Sequence, residues 1–183
     1  MRLPKILTAI VVPATLCLVL GVATASARCG DVDASPQAAT EHQLRTSVLC
    51  LVNLARARHG VAPLEFNEAL RKSATGHSWG MVRSGSFSHY GPDGSTMTSR
   101  IARAGYLSRA ASFRLAENIA AGPGREYGSP LAIVSSWMHS PGHRANILDG
   151  GLDDFGVGVA RGDPFGDGED AATYTLDFGA RSG

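Results

Sequence analysis

The spacing of apolar residues changes along this chain, and that change most constrains the fold. Over residues 41–59 the apolar side chains recur every three or four positions, as they do on the buried face of an amphipathic helix. The same reasoning predicts a second helix over 67–84 and shorter helices over 97–104 and 130–139. The stripe of the first helix consists of Leu44, Val48, Leu51, Val52 and Ala55.

Near the C terminus the apolar residues alternate with small or polar ones, in 155–159 and again in 174–178. Alternation of this kind is typical of β-strands. The Gly- and Asp-rich segment 161–171 between them is expected to form the loop of an antiparallel hairpin. Helices followed by a small antiparallel sheet indicate the α+β class.

The N-terminal segment 1–27 has the pattern of a secretory signal peptide. Basic Arg2 and Lys5 precede an apolar run over 6–22, and the segment closes on Ala25-Ser26-Ala27. A retained membrane anchor is the competing interpretation, but the run is shorter than the roughly 20 residues that a spanning helix needs. We therefore expect cleavage after Ala27, a secreted extracellular protein, and no stable membrane span.

Cleavage would leave 156 of the 183 residues, which suits one domain. That part has 15 basic and 16 acidic residues, so its bulk charge predicts no nucleic-acid partner. Its two cysteines, Cys29 and Cys50, are expected to form a disulfide in an oxidising compartment. Such a bond would tie the N-terminal extension 28–41 to the first helix and contribute about 3 kcal/mol; two free thiols are the alternative.

Eight segments occur in a characteristic order: LVNLARARHGVAPL, HSWGM, GSFSHYGPDGS, AGY, AENIAAG, SSWMHSPGHRANIL, FGVGVA and YTLDFG. Together they resemble the CAP superfamily, which includes cysteine-rich secretory, antigen 5 and pathogenesis-related proteins. The likeness spans about 47–179 and is greatest to the bacterial SCP-like extracellular branch. It implies a CAP domain over 42–181, folded as a three-layer α-β-α sandwich with a central groove.

The resemblance also implies a cavity lined by two histidines and acidic residues. These match His89, Glu117 and His143, while Ser140 stands where many relatives have a second acid. Two neutral imidazoles and a carboxylate would form a three-ligand set with an open position, which is typical of catalytic zinc sites. The expected cofactor is therefore zinc or another divalent cation, although the missing acid argues against tight binding.

Other interpretations of the same residues stay open. His89, Glu117 and His143 could exchange protons with one another instead of binding a metal, or they could serve only to hold loops in place. His77 could either face the cavity or pack in the core. The leading hypothesis is a monomeric binding module for a small or lipid-like ligand, rather than an enzyme. The alternatives are a cell-envelope hydrolase acting on peptide or peptidoglycan through this cavity, and a non-catalytic protein that interacts with an envelope or host protein.

Overall fold

The computed structural model describes residues 28–166, 168 and 170–183; the predicted signal peptide and its cleavage point lie outside them. The helices that position the site are α1 (Glu41–Arg58), α2 (Glu68–Ser84), α3 (Met97–Arg103), α4 (Gly124–Gly128), α5 (Pro130–His139) and α6 (Pro141–Ile147). The strands are β1 (Glu65–Phe66), β2 (Ser112–Pro123), β3 (Asp154–Arg161) and β4 (Ala171–Ser182).

The four strands form one sheet in the order β1-β3-β4-β2. Strands β3 and β4 pair antiparallel from Asp154 opposite Gly179 to Arg161 opposite Ala172, so the predicted hairpin is confirmed. Strand β2 pairs antiparallel with β4 along all of its length, and the short β1 runs parallel to β3. With helices packed on this sheet, the predicted α+β class is confirmed.

Helices cover the sheet on both faces and form two hydrophobic clusters. On one face α1 and α5 pack over the sheet, and this larger cluster includes Leu44, Val52, Trp137, Val157 and Leu176. On the other face lie α2 and α3 with the smaller cluster of Leu70, Ile101 and Tyr106. The arrangement is the α-β-α sandwich that the resemblance implied, with α2 in close contact with β3 and β4.

Two glycines of β3 allow this close contact. A Cβ atom built on Gly156 or Gly158 would lie less than 3.0 Å from backbone atoms of α2, closer than real Cβ atoms come. Only a residue without a side chain therefore fits at these two positions of β3. The alternate residues of the strand, Val157 and Val159, point to the opposite face and join the larger cluster.

The N-terminal extension is held against the domain. Cys29 and Cys50 form a disulfide with a Cα–Cα distance of 5.5 Å, which confirms the predicted bond. The Leu131 amide donates to the Val32 carbonyl at 2.8 Å, and the Ser47 hydroxyl donates to the Cys29 carbonyl at 3.0 Å. Because Val32 is fully buried, this segment forms part of the core.

Four elements were not anticipated from the sequence: the short β1 and α4, the strand β2 and the helix α6. Strand β2, residues 112–123, has the longest pairing with β4. Its apolar residues neither alternate cleanly nor follow a helical period, so its sequence predicts neither a strand nor a helix. The short helix α6 begins at Pro141, although the sequence of this segment predicts only the end of the preceding helix. Proline suits the first position of a helix, where its missing N–H is not needed, so Ser140-Pro141 both ends α5 and starts α6.

Candidate functional site

Glu117 is the centre of the site and lies in the middle of the edge strand β2. Its side chain is only 2 % exposed, and both carboxylate oxygens are engaged. Nδ1 of His89 lies 2.8 Å from Oε1, and Nη2 of Arg100 donates to Oε2 at 2.6 Å. Burial by itself raises the pKa of Glu117, but His89 and Arg100 together lower it below its ordinary value. The carboxylate is therefore ionised at neutral pH.

His89 projects from the loop between α2 and α3, and Arg100 holds this loop in place. Nη1 of Arg100 donates to the carbonyls of His89 and Ser95, both at 3.0 Å. The imidazole of His89 is 53 % exposed even though Nδ1 contacts the buried carboxylate. A carboxylate can only accept, so Nδ1 of His89 carries a proton, and Nε2 is the acceptor whenever the ring is neutral.

His143 lies in the first turn of α6, which docks on β2 beside Glu117. Nδ2 of Asn118 donates to the His143 carbonyl at 3.1 Å, and Nδ2 of Asn146 donates to Oδ1 of Asn118 at 2.9 Å. Neighbouring side chains of a strand point to opposite faces, so Glu117 contacts the His89 loop while Asn118 contacts α6. Burial, followed by the charge of His89, lowers the pKa of His143.

Ser140 is the half-buried residue shared by the end of α5 and the start of α6. Its backbone N–H donates to the carbonyls of Ser136 and Trp137, each at 3.2 Å. Its hydroxyl does not cap α6. Ser140 thus supplies no carboxylate. Glu117 contacts the His89 imidazole, and α6 is joined to β2 through the His143 carbonyl.

Asp177 is a member of the site that the sequence did not reveal. It lies opposite Glu117 in the β2–β4 register, is fully buried, and neither of its oxygens has a hydrogen-bond partner among the described residues. Burial, followed by the charge of Glu117, raises the pKa of Asp177 well above its ordinary value. Two adjacent carboxyls cannot both ionise cheaply, so Asp177 keeps its proton while Glu117 is charged.

His77, on α2, lies beneath the carboxylate of Glu117. Its Nε2 is 3.9 Å from Oε1 of Glu117, and neither ring nitrogen has a hydrogen-bond partner among the described residues. Burial is the main reason why the pKa of His77 is lowered, so the ring is neutral. Of the two interpretations left open, His77 combines both: it packs in the core and it borders Glu117.

The predicted three-ligand zinc set does not fit this arrangement. Among the described residues, no group of three or more His, Cys, Asp and Glu side chains could hold a metal ion. Glu117 is the reason, because its oxygens are buried and already bonded to His89 and Arg100. The carboxylate instead occupies the supporting position that orients an imidazole, a role that acidic residues also have behind metal-bound histidines.

Comparison with known proteins places this geometry in a family. The model of the cysteine-rich secretory protein family, CAP, matches residues 49–178. Two Bacillus subtilis (strain 168) proteins are similar: the uncharacterized membrane protein YlbC is 32% identical over 114 residues, and the uncharacterized protein YkwD is 34% identical over 111. These matches cover 62% and 61% of this chain but only 31% and 40% of the two relatives.

A solved structure supports the same assignment. The crystal structure of an extracellular protein containing an SCP domain from Bacillus anthracis superposes with a TM-score of 0.63 at 28% identity. The match covers 75% of this chain and 40% of that one. The family model covers most of the described residues, including those that carry His89, Glu117 and His143. The chain therefore belongs to the CAP family of cysteine-rich secretory proteins.

Proposed function

We propose that this chain is a secreted binding module whose ligand contacts the imidazoles of His89 and His143. The observation that carries the proposal is the hydrogen bond of 2.8 Å between exposed His89 and buried Glu117. It fixes one ring nitrogen and leaves the other free toward solvent. An exposed imidazole held by a buried carboxylate is preorganised for a ligand, because little rotamer freedom remains to be lost on binding.

Several findings support a place outside the cytoplasm. The Bacillus anthracis protein with a similar structure is described as extracellular, and the chain holds a Cys29–Cys50 disulfide, which is typical of oxidising compartments. Within the part of the chain that the structure describes, every helix is too short or too polar to cross a membrane. Together with the predicted signal peptide over 1–27, these findings favour export.

The chemistry of the site limits the kinds of ligand that it can bind. In their neutral forms the two imidazoles offer acceptor nitrogens, which suit a hydrogen-bond donor or a divalent cation held by the two rings alone. Two aromatic residues of the same loop as His89 are exposed: Phe87 and Tyr90 are 38% and 65% exposed, and Phe87 packs on Phe165 with ring centroids 5.3 Å apart. We therefore propose a ligand with an apolar part beside its polar group, such as a lipid-like molecule.

Titration with Zn²⁺ and with a long-chain fatty acid tests the proposal. We expect the His89→Ala, His143→Ala double variant to bind at least one of these probes about tenfold more weakly than the wild type, a loss of roughly 1.4 kcal/mol. The matched control is His42→Ala, His59→Ala, which removes two exposed histidines elsewhere. Equal uptake of both probes by all three proteins would contradict a ligand site at His89 and His143.

The same hydrogen bond favours a second candidate, a cell-envelope hydrolase. A carboxylate that orients an imidazole is the arrangement of a general base, with His89 as the base and Glu117 as the orienting group. Hydrolysis of peptide or peptidoglycan by the wild type, lost in Glu117→Gln, would support this candidate. No turnover by the wild type would leave the binding module as the function of the site.

A further inference from the structure

A separate cavity lies between α2 and the segment that leads into α3. It has a volume of about 510 Å³ and is lined by residues of α2, of the loop 91–95 and of α3. His89, Glu117 and His143 are not among its lining residues. The cavity thus borders the site described above, and the two share the side chains of His77 and Arg100.

One stripe of α2 forms the floor of this cavity. Lys72, Gly76, Gly80 and Arg83 follow one another at intervals of four, four and three residues, which places them on the same face of the helix. The two glycines leave the space open: a Cβ on Gly76 would meet no atom within 4 Å. The stripe therefore has a cation at each end and no side chain between them.

The charge of the cavity is strongly positive. Lys72, Arg83, Arg100 and Arg103 line it, whereas Asp93 is its only acidic lining residue among those described. Asp93 pairs with Arg103 at 3.3 Å, and Arg100 pairs with Glu117 at 2.6 Å. Lys72 and Arg83, by contrast, lie beyond salt-bridge distance of every carboxylate of the described residues, so their charges are available to a ligand.

Polar atoms without partners lie under the same cavity. Ser73, His77 and Arg100 are each more than nine-tenths buried and line it. The Ser73 hydroxyl, both His77 ring nitrogens and Nε of Arg100 have no hydrogen-bond partner among the described residues. Buried polar groups are normally hydrogen-bonded. These atoms are themselves buried beneath the cavity lining, and Nε2 of His77 lies 3.9 Å from Oε1 of Glu117, so the exposed cations Lys72 and Arg83 are the groups that a ligand in the cavity would contact.

We propose that this cavity binds an organic phosphate, that is, a phosphate group carried on a small organic body. The exposed cations that line the cavity, Lys72 and Arg83, suit phosphate oxygens, which form strong charge-assisted hydrogen bonds with Arg and Lys. A phosphate alone would leave much of the volume empty, so the remainder accommodates the organic part. The phosphate could belong to a soluble molecule or to a lipid headgroup, since both present the same chemistry.

Titration of the full chain with glycerol 3-phosphate tests this proposal, with glycerol as the matched neutral probe. We expect saturable binding of the phosphate and none of glycerol. The Lys72→Glu variant should bind glycerol 3-phosphate at least tenfold more weakly, whereas Arg58→Glu, an equal charge reversal at an exposed position outside the cavity, should change binding less than twofold. Circular dichroism of each variant verifies that it is folded.

A steric variant provides an independent check that leaves every charge in place. Gly76→Leu puts a side chain into the open space over the helix, so it should abolish binding of glycerol 3-phosphate while the domain stays folded. Vesicles containing phosphatidylglycerol, compared with phosphatidylcholine, identify the source: capture that is lost in Lys72→Glu assigns the phosphate to a lipid, and no capture assigns it to a soluble molecule. Binding of glycerol as tight as that of glycerol 3-phosphate, or equal losses in Lys72→Glu and Arg58→Glu, would overturn the proposal.

Discussion

The Gly158→Ala variant is expected to lose about 3 kcal/mol of its free energy of unfolding, the upper end for overpacking a core. The new Cβ would lie within 3.0 Å of backbone atoms of Ala74 and Thr75. Backbone cannot rotate away as a flexible side chain can, so α2 would have to move off the sheet. Such a shift also weakens the hydrogen bond of 2.9 Å between the Ser78 and Thr175 hydroxyls.

Urea denaturation of Gly158→Ala and Gly76→Ala measures this effect against a matched control. Gly76 belongs to the helix that Gly158 contacts, but a Cβ there meets no neighbour within 4 Å. Alanine is the better helix former, so the same substitution at Gly76 should stabilise the protein by about 0.5–1 kcal/mol. Similar losses in the two variants would show that the close packing of α2 on β3 is not the cause.

Replacing Arg100 by alanine is expected to cost about 3–5 kcal/mol at pH 7, because it leaves a buried carboxylate without its cation. Arg100 donates to Oε2 of Glu117 and also to the carbonyls of His89 and Ser95, so the variant loses the contacts that hold the His89 loop. The neighbouring Arg103→Ala is the control. Arg103 forms an exposed pair with Asp93, and its loss should cost less than about 0.5 kcal/mol.

The pH dependence of this difference has a definite sign. In the wild type the pKa of Glu117 is lowered, so the stability that its charged form contributes is present above the ordinary carboxyl pKa and is lost as the pH falls through the lowered value. The cost of Arg100→Ala should therefore be greatest near neutral pH and shrink below about pH 4. Urea midpoints at pH 7 and at about pH 3 measure it; a cost that is the same at both values would contradict the role given to Arg100.

Much of the fold could be predicted from local patterns. The helical stripes gave α1 and α2 to within a residue or two, and the turn composition of 161–171 correctly joined β3 to β4. Strand β2 was missed because its burial depends on its neighbours rather than on its own periodicity. Its buried stretch is Glu117, Asn118 and Ile119, three consecutive residues of which two are polar, which resembles neither a helix nor a half-exposed strand.

The alternation in β4 illustrates what a sequence pattern leaves out. Thr173, Thr175 and Asp177 alternate with large apolar residues, and in a sheet with one open face such polar residues would contact water. Here α2 covers that face, and all three are fully buried. The polar face of β4 is therefore buried beneath the site. No local feature of the sequence distinguishes this buried polar face from a polar face that contacts solvent.

The partners in the site could not be inferred for a related reason. His89, Glu117 and His143 were found through the resemblance, but the roles of Arg100 and Asp177 arise from tertiary contacts. Arg100 meets Glu117 because the loop before α3 folds back on β2, and Asp177 meets it through strand register. Arg100 is a basic residue on a short helix and Asp177 is an acid in a strand, and neither has a distinguishing sequence signal. Their roles depend on burial beside Glu117.

The tautomer of His89 is the measurement that bears most directly on the central claim, which is that buried Glu117 fixes this ring and leaves one nitrogen free for a ligand. Nitrogen-15 NMR of the histidine rings above pH 8 reads it residue by residue. We expect the neutral His89 ring to carry its proton on Nδ1 in the wild type, and the Glu117→Gln variant to lose that preference. A wild-type ring protonated on Nε2, or a tautomer unchanged by Glu117→Gln, would contradict the account.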